Sequence, residues 1–176
     1  MNKVLQISKI RYQKKYINKI QKFLSDLTME YPLHDIWFAG VIQELKKNTG
    51  LREILFVISD FDEVIGVSIL KKTHLEKKIC TFRIAENYQR QGIGTMLMKT
   101  SLEFLNTNKP IITVSSTKHA EFIPIFKRFN FCLKKVYFGK YRNLKIEYCY
   151  NGILLPETIL KSQNIVVKDT NDMKTA

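Results

Sequence analysis

Apolar positions in the first third of the chain recur mostly at helical spacing. From Tyr12 to Met29 they fall at Tyr12, Tyr16, Ile17, Ile20, Phe23, Leu24 and Leu27, the stripe of an amphipathic helix that Pro32 ends. Ahead of it, Val4 to Ile10 alternates loosely and predicts a short strand. A second helix is predicted from Asp35 to Lys47, with Ile36, Trp37, Val41, Ile42 and Leu45 apolar, Asp35 as its N-cap and Gly50 as its stop. The period then shortens. Glu53 to Ser59 and Val64 to Lys71 are rich in β-branched and aromatic residues and flank the turn 60–63, so they predict an antiparallel hairpin. Gly66 inside the second strand points to a bulge or a close backbone approach. After a turn at 75–77, a third strand is predicted from Lys78 to Ala85.

Downstream, strands and helices alternate. The loop 86–91 leads to a helix from Gly92 to Asn106, with Met96, Leu97, Leu102 and Leu105 on its apolar side. Pro110 precedes the strand Ile111 to Ser115. A helix follows from Lys118 to Phe129, with Pro124 kinking it or delaying its regular start. Phe131 to Phe138 and Leu144 to Tyr150 close the series as strands. The order β-α-α-β-β-β-α-β-α-β-β predicts an α/β fold with a mixed, mostly antiparallel sheet flanked by helices. Residues 1–155 are expected to form a single domain and 156–176 a partly disordered C-terminal tail, frayed from Asp169 to Ala176.

Charge changes the picture most. The formal net charge is +13, from 29 basic and 16 acidic residues, which makes a polyanion a candidate partner. Most of the basic residues are lysines. The arginines suited to bidentate phosphate or base contacts are few: Arg11, Arg52, Arg83, Arg90, Arg128 and Arg142. Positive charge also suits a phosphate-bearing small molecule. Cys80, Cys132 and Cys149 are odd in number, widely spaced and set in apolar runs, so buried reduced thiols are expected and neither a disulfide framework nor a metal site. No apolar run is long enough for a membrane span, and the basic N-terminus lacks a signal peptide's apolar segment, so a cytoplasmic location is expected.

The sharpest local feature is the strand-loop-helix passage through Gln89-Arg90-Gln91-Gly92-Ile93-Gly94. Two glycines let the backbone approach a ligand, and a helix N-terminus offers unpaired N–H groups at the positive end of its dipole. Together they suit a pyrophosphate. The loop has neither the Lys-Ser/Thr of a nucleotide P-loop nor GxGxxG spacing. Gln89, Gly92 and Gly94 match the Gln/Arg-x-x-Gly-x-Gly/Ala cofactor loop, and Phe126 to Phe131 is the counterpart of an aromatic-x-x-x-Gly-Phe ending. On these residues the chain resembles the GNAT superfamily of acetyltransferases over about residues 51–152. The resemblance implies acetyl-CoA, or another acyl-CoA, as co-substrate. The N–H groups from Gln91 to Thr95, Ile93 included, would hold its pyrophosphate, with Gln89 and Arg90 in the same loop. Strand 78–85 would splay from strand 111–115 to admit pantetheine, and the Ile84 N–H would polarise the thioester carbonyl. An acceptor amine would attack the thioester directly.

Three positions depart from the pattern. The tyrosine that often protonates the leaving thiolate is Phe126, the asparagine seven residues earlier is His119, and the glycine before Phe131 is Asn130, which tolerates a left-handed backbone. His119 and Ser115 become candidates for moving the thiolate's proton, with Ser116 beside them, and Glu86, just before the cofactor loop, a candidate base. Each has a plain reading as well: capping for His119, turn chemistry for Ser115, a surface carboxylate for Glu86. Glu147 on the last strand is a second candidate base, and Tyr141, Tyr148 and Tyr150 candidates for lining the acceptor mouth. The resemblance implies an N-acetyltransferase with a primary amine as acceptor, of unknown class. The amino group of a charged tRNA is one option, because GNAT-fold toxins that acetylate it also have basic surfaces. Those toxins keep the tyrosine. A nucleic-acid-modifying enzyme, a non-catalytic CoA-binding module and a nucleic-acid-binding scaffold stand beside this reading.

Overall fold

The computed structural model describes residues 3–11 and 13–155. The expected tail lies outside them, as does Tyr12. Seven strands form one sheet: β1 (Val4–Gln6), β2 (Arg52–Ile58), β3 (Val64–Lys72), β4 (Lys77–Ile84), β5 (Ile111–Ser115), β6 (Leu133–Phe138) and β7 (Ile146–Tyr150). Their spatial order is β1-β2-β3-β4-β5-β7-β6, and every neighbouring pair is antiparallel except β4 with β5. The helices are α1 (Gln13–Phe23), α2 (His34–Lys46), α3 (Ile93–Leu105) and α4 (His119–Arg128). This is the mixed, mostly antiparallel α/β architecture expected from the sequence.

The alternation of the strands divides the core in two. On one face Leu55, Val57, Ile65, Ile79, Ile112 and Val114 pack against Ile93, Leu97, Met98 and Leu105 of α3 and Phe126 of α4. On the other, Ile54, Phe56, Val67 and Ile69 pack against Ile20 of α1 and Phe38 and Val41 of α2. The turn between β2 and β3 is tied to α1: Lys15 and Lys19 reach the Asp62 carboxylate at 2.6 and 2.7 Å, and the Tyr16 hydroxyl donates to it at 3.0 Å.

Several boundaries differ from expectation for local reasons. The first strand stops at Gln6, and Ile7–Lys9 forms a 3-10 turn in which the Ser8 N–H and hydroxyl both donate to the buried Glu53 carboxylate. The first helix stops at Phe23, and a 3-10 turn, Ser25–Met29, follows. There the Ser25 hydroxyl donates to the Lys22 carbonyl and the Thr28 hydroxyl to the Ser25 carbonyl, side-chain bonds that compete with the helical ladder. Asp35 is not the N-cap of α2: Leu33 is, without a side-chain bond, and Asp35 sits in the first turn, where its charge suits the dipole. Gly50 does not stop that helix either, because Asn48 turns left-handed first, at φ 50°. Pro124 lies inside a continuous α4 that begins at His119, so it does not delay the start. The three cysteines are free thiols, but only Cys149 is buried; Cys132 is exposed beside the edge strand β6, which little covers.

Candidate functional site

The glycine loop begins with a 3-10 turn, Glu86–Tyr88, held by side-chain bonds. The Gln89 amide donates to the Ile84 carbonyl at 3.3 Å and the Gln91 amide to the Asn87 carbonyl at 2.9 Å. Arg90 (φ 59°) and Gly92 (φ 83°) are both left-handed. Such residues curl successive N–H groups into a concavity that favours anions. Gly92 is the N-cap of α3 and supplies no side-chain cap, and the first helical bond is Met96 N–H to the Gly92 carbonyl. The N–H groups from Gly92 to Thr95 therefore have no acceptor among the described residues, and no acidic side chain stands in that first turn. A Cβ built on Gly92 would meet nothing within 4 Å, so the space in front of these donors is open. A run of free donors at a helix N-terminus, uncrowded and unopposed by carboxylates, fits a pyrophosphate.

Beside the loop the sheet opens. β4 and β5 pair only at Lys78–Ile111 and Ile79–Ile112, although β4 continues to Ile84 and β5 to Ser115. Ile84 sits opposite Gly66, and the flanking bond runs from the Ala85 N–H to the Ile65 carbonyl. That places Ile84 in a non-hydrogen-bonded pair, so its own N–H points away from β3 and into the gap. The resemblance implies a contact of this N–H with the thioester carbonyl, and the register leaves it free of β3.

On the α3/α4 face, His119 starts α4. Its Nε2 is 2.7 Å from the Tyr150 hydroxyl and its ring stacks on Tyr148 at 3.9 Å. Phe126 is 2% exposed, packed on Phe122, Phe131 and Tyr150, with its ring centroid 4.3 Å from that of Tyr150. A tyrosine ring from β7 thus lies against the side chain that replaces the usual tyrosine, with its hydroxyl bonded to His119. Asn130 adopts φ 53°, so the turn before Phe131 survives without glycine.

The opposite face holds a polar cluster over β4, β5 and β7. Glu147 is 4% exposed and pairs across from Ser115, and the Tyr31 hydroxyl donates to its carboxylate at 3.2 Å. Burial raises its pKa, against the pull of Thr113, Tyr31 and Lys78. Burial beside this carboxylate also pushes the Tyr31 hydroxyl far up. Lys78 stays cationic: burial lowers its pKa, but Tyr141, Cys80 and Glu76 together outweigh it and hold it raised. Tyr31 and Tyr141 meet edge to face at 5.6 Å above the cluster. Ser115 is buried, with its hydroxyl 2.7 Å from that of Thr117.

The structure thus gathers Ser115 with Glu147, and His119 with Tyr148 and Tyr150. Glu86 stays apart, exposed on the rim, where its charge acts on Arg83 and Lys118. Arg83 in turn grips Asp26 with both its terminal nitrogens. Tyr31 and Lys78 escaped the reading of the sequence. Tyr31 lies 116 residues from Glu147, and no spacing announces such a pair.

Among the described residues no group of His, Cys, Asp and Glu could hold a metal ion, and no helix is long and apolar enough to cross a membrane. The chain has structural relatives. A GNAT-family protein from Desulfovibrio desulfuricans aligns at a TM-score of 0.63 and 14% identity over 85% of this chain and 97% of its own. IAA acetyltransferase from Bacillus cereus ATCC 14579 aligns at 0.59 and 14% over 85% and 97%. A protein from Pyrococcus horikoshii OT3 aligns at 0.58 and 16% over 88% and 100%. At these identities the likeness is one of fold. No curated protein matches the chain in sequence. The family model of the acetyltransferase (GNAT) domain matches residues 38–136, more than half of the chain and all of the glycine loop. With that match the chain belongs to the GNAT family of acetyltransferases.

Proposed function

We propose that this chain transfers an acyl group, acetyl above all, from acyl-CoA to a primary amine by direct attack on the thioester, in the cytoplasm. The observation that carries the proposal is the row of unspent N–H donors at the start of α3, next to the β4/β5 opening. In this reading the N–H groups from Gln91 to Thr95 bind the pyrophosphate, with Gln89 and Arg90 shaping the cradle. The Ile84 N–H faces the thioester oxygen, where charge develops as the amine adds. Phe126 cannot donate a proton, so the thiolate's proton is assigned to the hydrogen-bonded pair His119 and Tyr150. Ser115 is a further relay for that proton, and Glu86, on the rim beside the cofactor loop, is the base that reaches the acceptor amine directly or through water.

The test is calorimetric titration of acetyl-CoA into the wild type, Gly92→Glu and Gly92→Asn. Asparagine tolerates the left-handed turn, so it reports the backbone alone. Glutamate adds an anion where the pyrophosphate sits. We expect Gly92→Glu to weaken binding at least ~100-fold, about 2.7 kcal/mol, and Gly92→Asn to retain most of it. A folded wild type that does not bind acetyl-CoA sinks the reading. Binding without turnover on any amine would favour a CoA-binding module. The net charge of +13 favours one second reading, an amine carried on nucleic acid such as charged tRNA. Acceptor KM rising steeply with salt is its signature.

A further inference from the structure

The thioester contact of the proposed reaction depends on one peptide at a half-supported strand end. β4 pairs with β5 only as far as Ile79, so among the described residues its end from Cys80 to Ile84 is held along β3 alone. Arg83 lies opposite Val67, and Ile84 opposite Gly66. In that alternation the Arg83 carbonyl turns to β3 and the Ile84 N–H turns to the gap. Both groups belong to the peptide that joins the two residues. Whatever fixes Arg83 therefore fixes the direction of the Ile84 N–H.

Side chains hold this peptide from both faces of the sheet. Cross-strand neighbours share a face, so Arg83 follows Val67 toward α1 and α2, while Ile84 packs on the α3 side. There the Arg83 guanidinium lies over the Phe23 ring, 5.1 Å from its centroid. It also donates to both Asp26 oxygens from its two terminal nitrogens, one of the bonds at 2.7 Å. A planar fork on a carboxylate fixes orientation as well as distance, which an ammonium does not. The bond from Arg83 lowers the Asp26 pKa, and the bond to Asp26 raises that of Arg83, so both stay charged. Asp26 lies in the 3-10 turn between α1 and α2, and Tyr31, further along the same connection, donates to Glu147 of β7. The connection is thus fastened on both sides of β5, at the end of β4 and at the residue of β7 that faces Ser115. Folding stability does not account for this clamp. The Asp26 side chain is 58% exposed and that of Arg83 29%, and ion pairs so open to water stabilise a fold little.

We propose that Arg83 is a positioning residue for acyl transfer: clamped on Asp26 and Phe23, it holds the Arg83–Ile84 peptide so that the Ile84 N–H meets the thioester oxygen. This rests on the acyltransferase reading and adds to it a residue that acts through the backbone rather than by touching substrate. Charge grows on the thioester oxygen as the amine adds, so the aim of the donor counts for more then than in the ground state. Loss of the clamp falls on the chemical step and spares acetyl-CoA binding, which rests on the donors of α3.

The experiment records the infrared carbonyl band of acetyl-CoA, isotope-labelled at the thioester carbonyl, free and bound to the protein. A hydrogen bond to that oxygen lowers the stretching frequency, and the wild type should lower it on binding. Arg83→Met should lose most of the shift while binding acetyl-CoA as tightly by calorimetry. Arg83→Lys, which keeps the charge without the fork, should recover part of it. Asp26→Ala should lose a smaller share than Arg83→Met, and the double variant no more than Arg83→Met alone, because the two residues act as a unit. With a primary amine that the wild type acetylates, Arg83→Met should lower kcat about tenfold and leave the KM for acetyl-CoA unchanged. A merely structural role would instead lower the melting temperature and the acetyl-CoA affinity together. A full shift in Arg83→Met, or in the exposed Asp26→Ala should Arg83→Met not fold, overturns this inference and leaves the acyltransferase intact. So does a wild type that binds acetyl-CoA without any shift. Absence of acetyl-CoA binding overturns both.

Discussion

The two faces of the sheet set polar atoms next to an apolar core by opposite means. On the α3/α4 side the donors are backbone N–H groups, and the side chains behind them, Ile93, Leu97 and Phe126, are core. On the α1/α2 side the polar atoms belong to side chains, and those on Tyr31, Lys78, Tyr141 and Glu147 come from three segments far apart in the chain. A backbone cradle survives changes of most side chains but depends on the core that holds it. A side-chain cluster can be altered residue by residue while the fold stands.

That contrast makes a graded set of predictions. The largest effect belongs to the core of the cofactor face. Phe126→Ala removes a buried ring packed on three aromatic neighbours and should cost about 3–5 kcal/mol in urea unfolding. A loss under about 1 kcal/mol would mean that this face is no more dependent on packing than the other. On the α1/α2 face, Glu147→Gln should cost little and gain stability relative to wild type as pH rises. Its folded-state pKa is raised, so ionisation is harder in the folded protein than in the unfolded chain. The protein is free of that penalty below the ordinary glutamate pKa and bears it in full above the raised one. The groups that face it, Tyr31, Lys78, Glu30 and Thr113, set the size of the effect. Melting temperatures at pH 8 should favour Glu147→Gln over wild type, and the difference should vanish at pH 4. A variant less stable at both would contradict the assignment. The smallest effect belongs to the tie between α1 and the hairpin. Lys15, Lys19 and Tyr16 hold Asp62 well below the usual carboxylate range, so its contribution is present above the ordinary aspartate pKa and lost as pH falls through the lowered one. Asp62→Asn keeps the left-handed turn and should lower the melting temperature slightly at low salt and not at about 1 M, where exposed charges are screened.

Legibility in the sequence follows the same division. The strand and helix order could be read because each element carries its own period. The glycine loop could be read because a backbone site needs particular residues at adjacent positions, as at Gln89, Gly92 and Gly94. His119 and Phe126 stood out only as departures from a pattern. The sequence marks Tyr150 only as a candidate for lining the acceptor mouth, since the register of β5 with β7 decides where it lies. Glu147 was legible as a carboxylate on a strand, but its burial and its bond to Tyr31 exist only once residues 116 positions apart are folded together. Boundaries failed where side chains bond the backbone locally, at Ser8 and Ser25, because hydrophobic spacing carries no record of such bonds.

The packing around Ile84 has a consequence for how this protein can diverge. A methyl added at Gly66 would come within 3.0 Å of the Ile84 side chain, and one added at Gly94 within 3.6 Å of it. One isoleucine is thus packed from both sides, tightly by the hairpin and in ordinary contact by the first turn of α3. Its side chain sets the spacing between those two elements, and its own N–H faces the gap. Drift at Gly66 is therefore met first by the far end of the Ile84 side chain, which must give by a few tenths of an ångström beside the strand end whose N–H faces the gap.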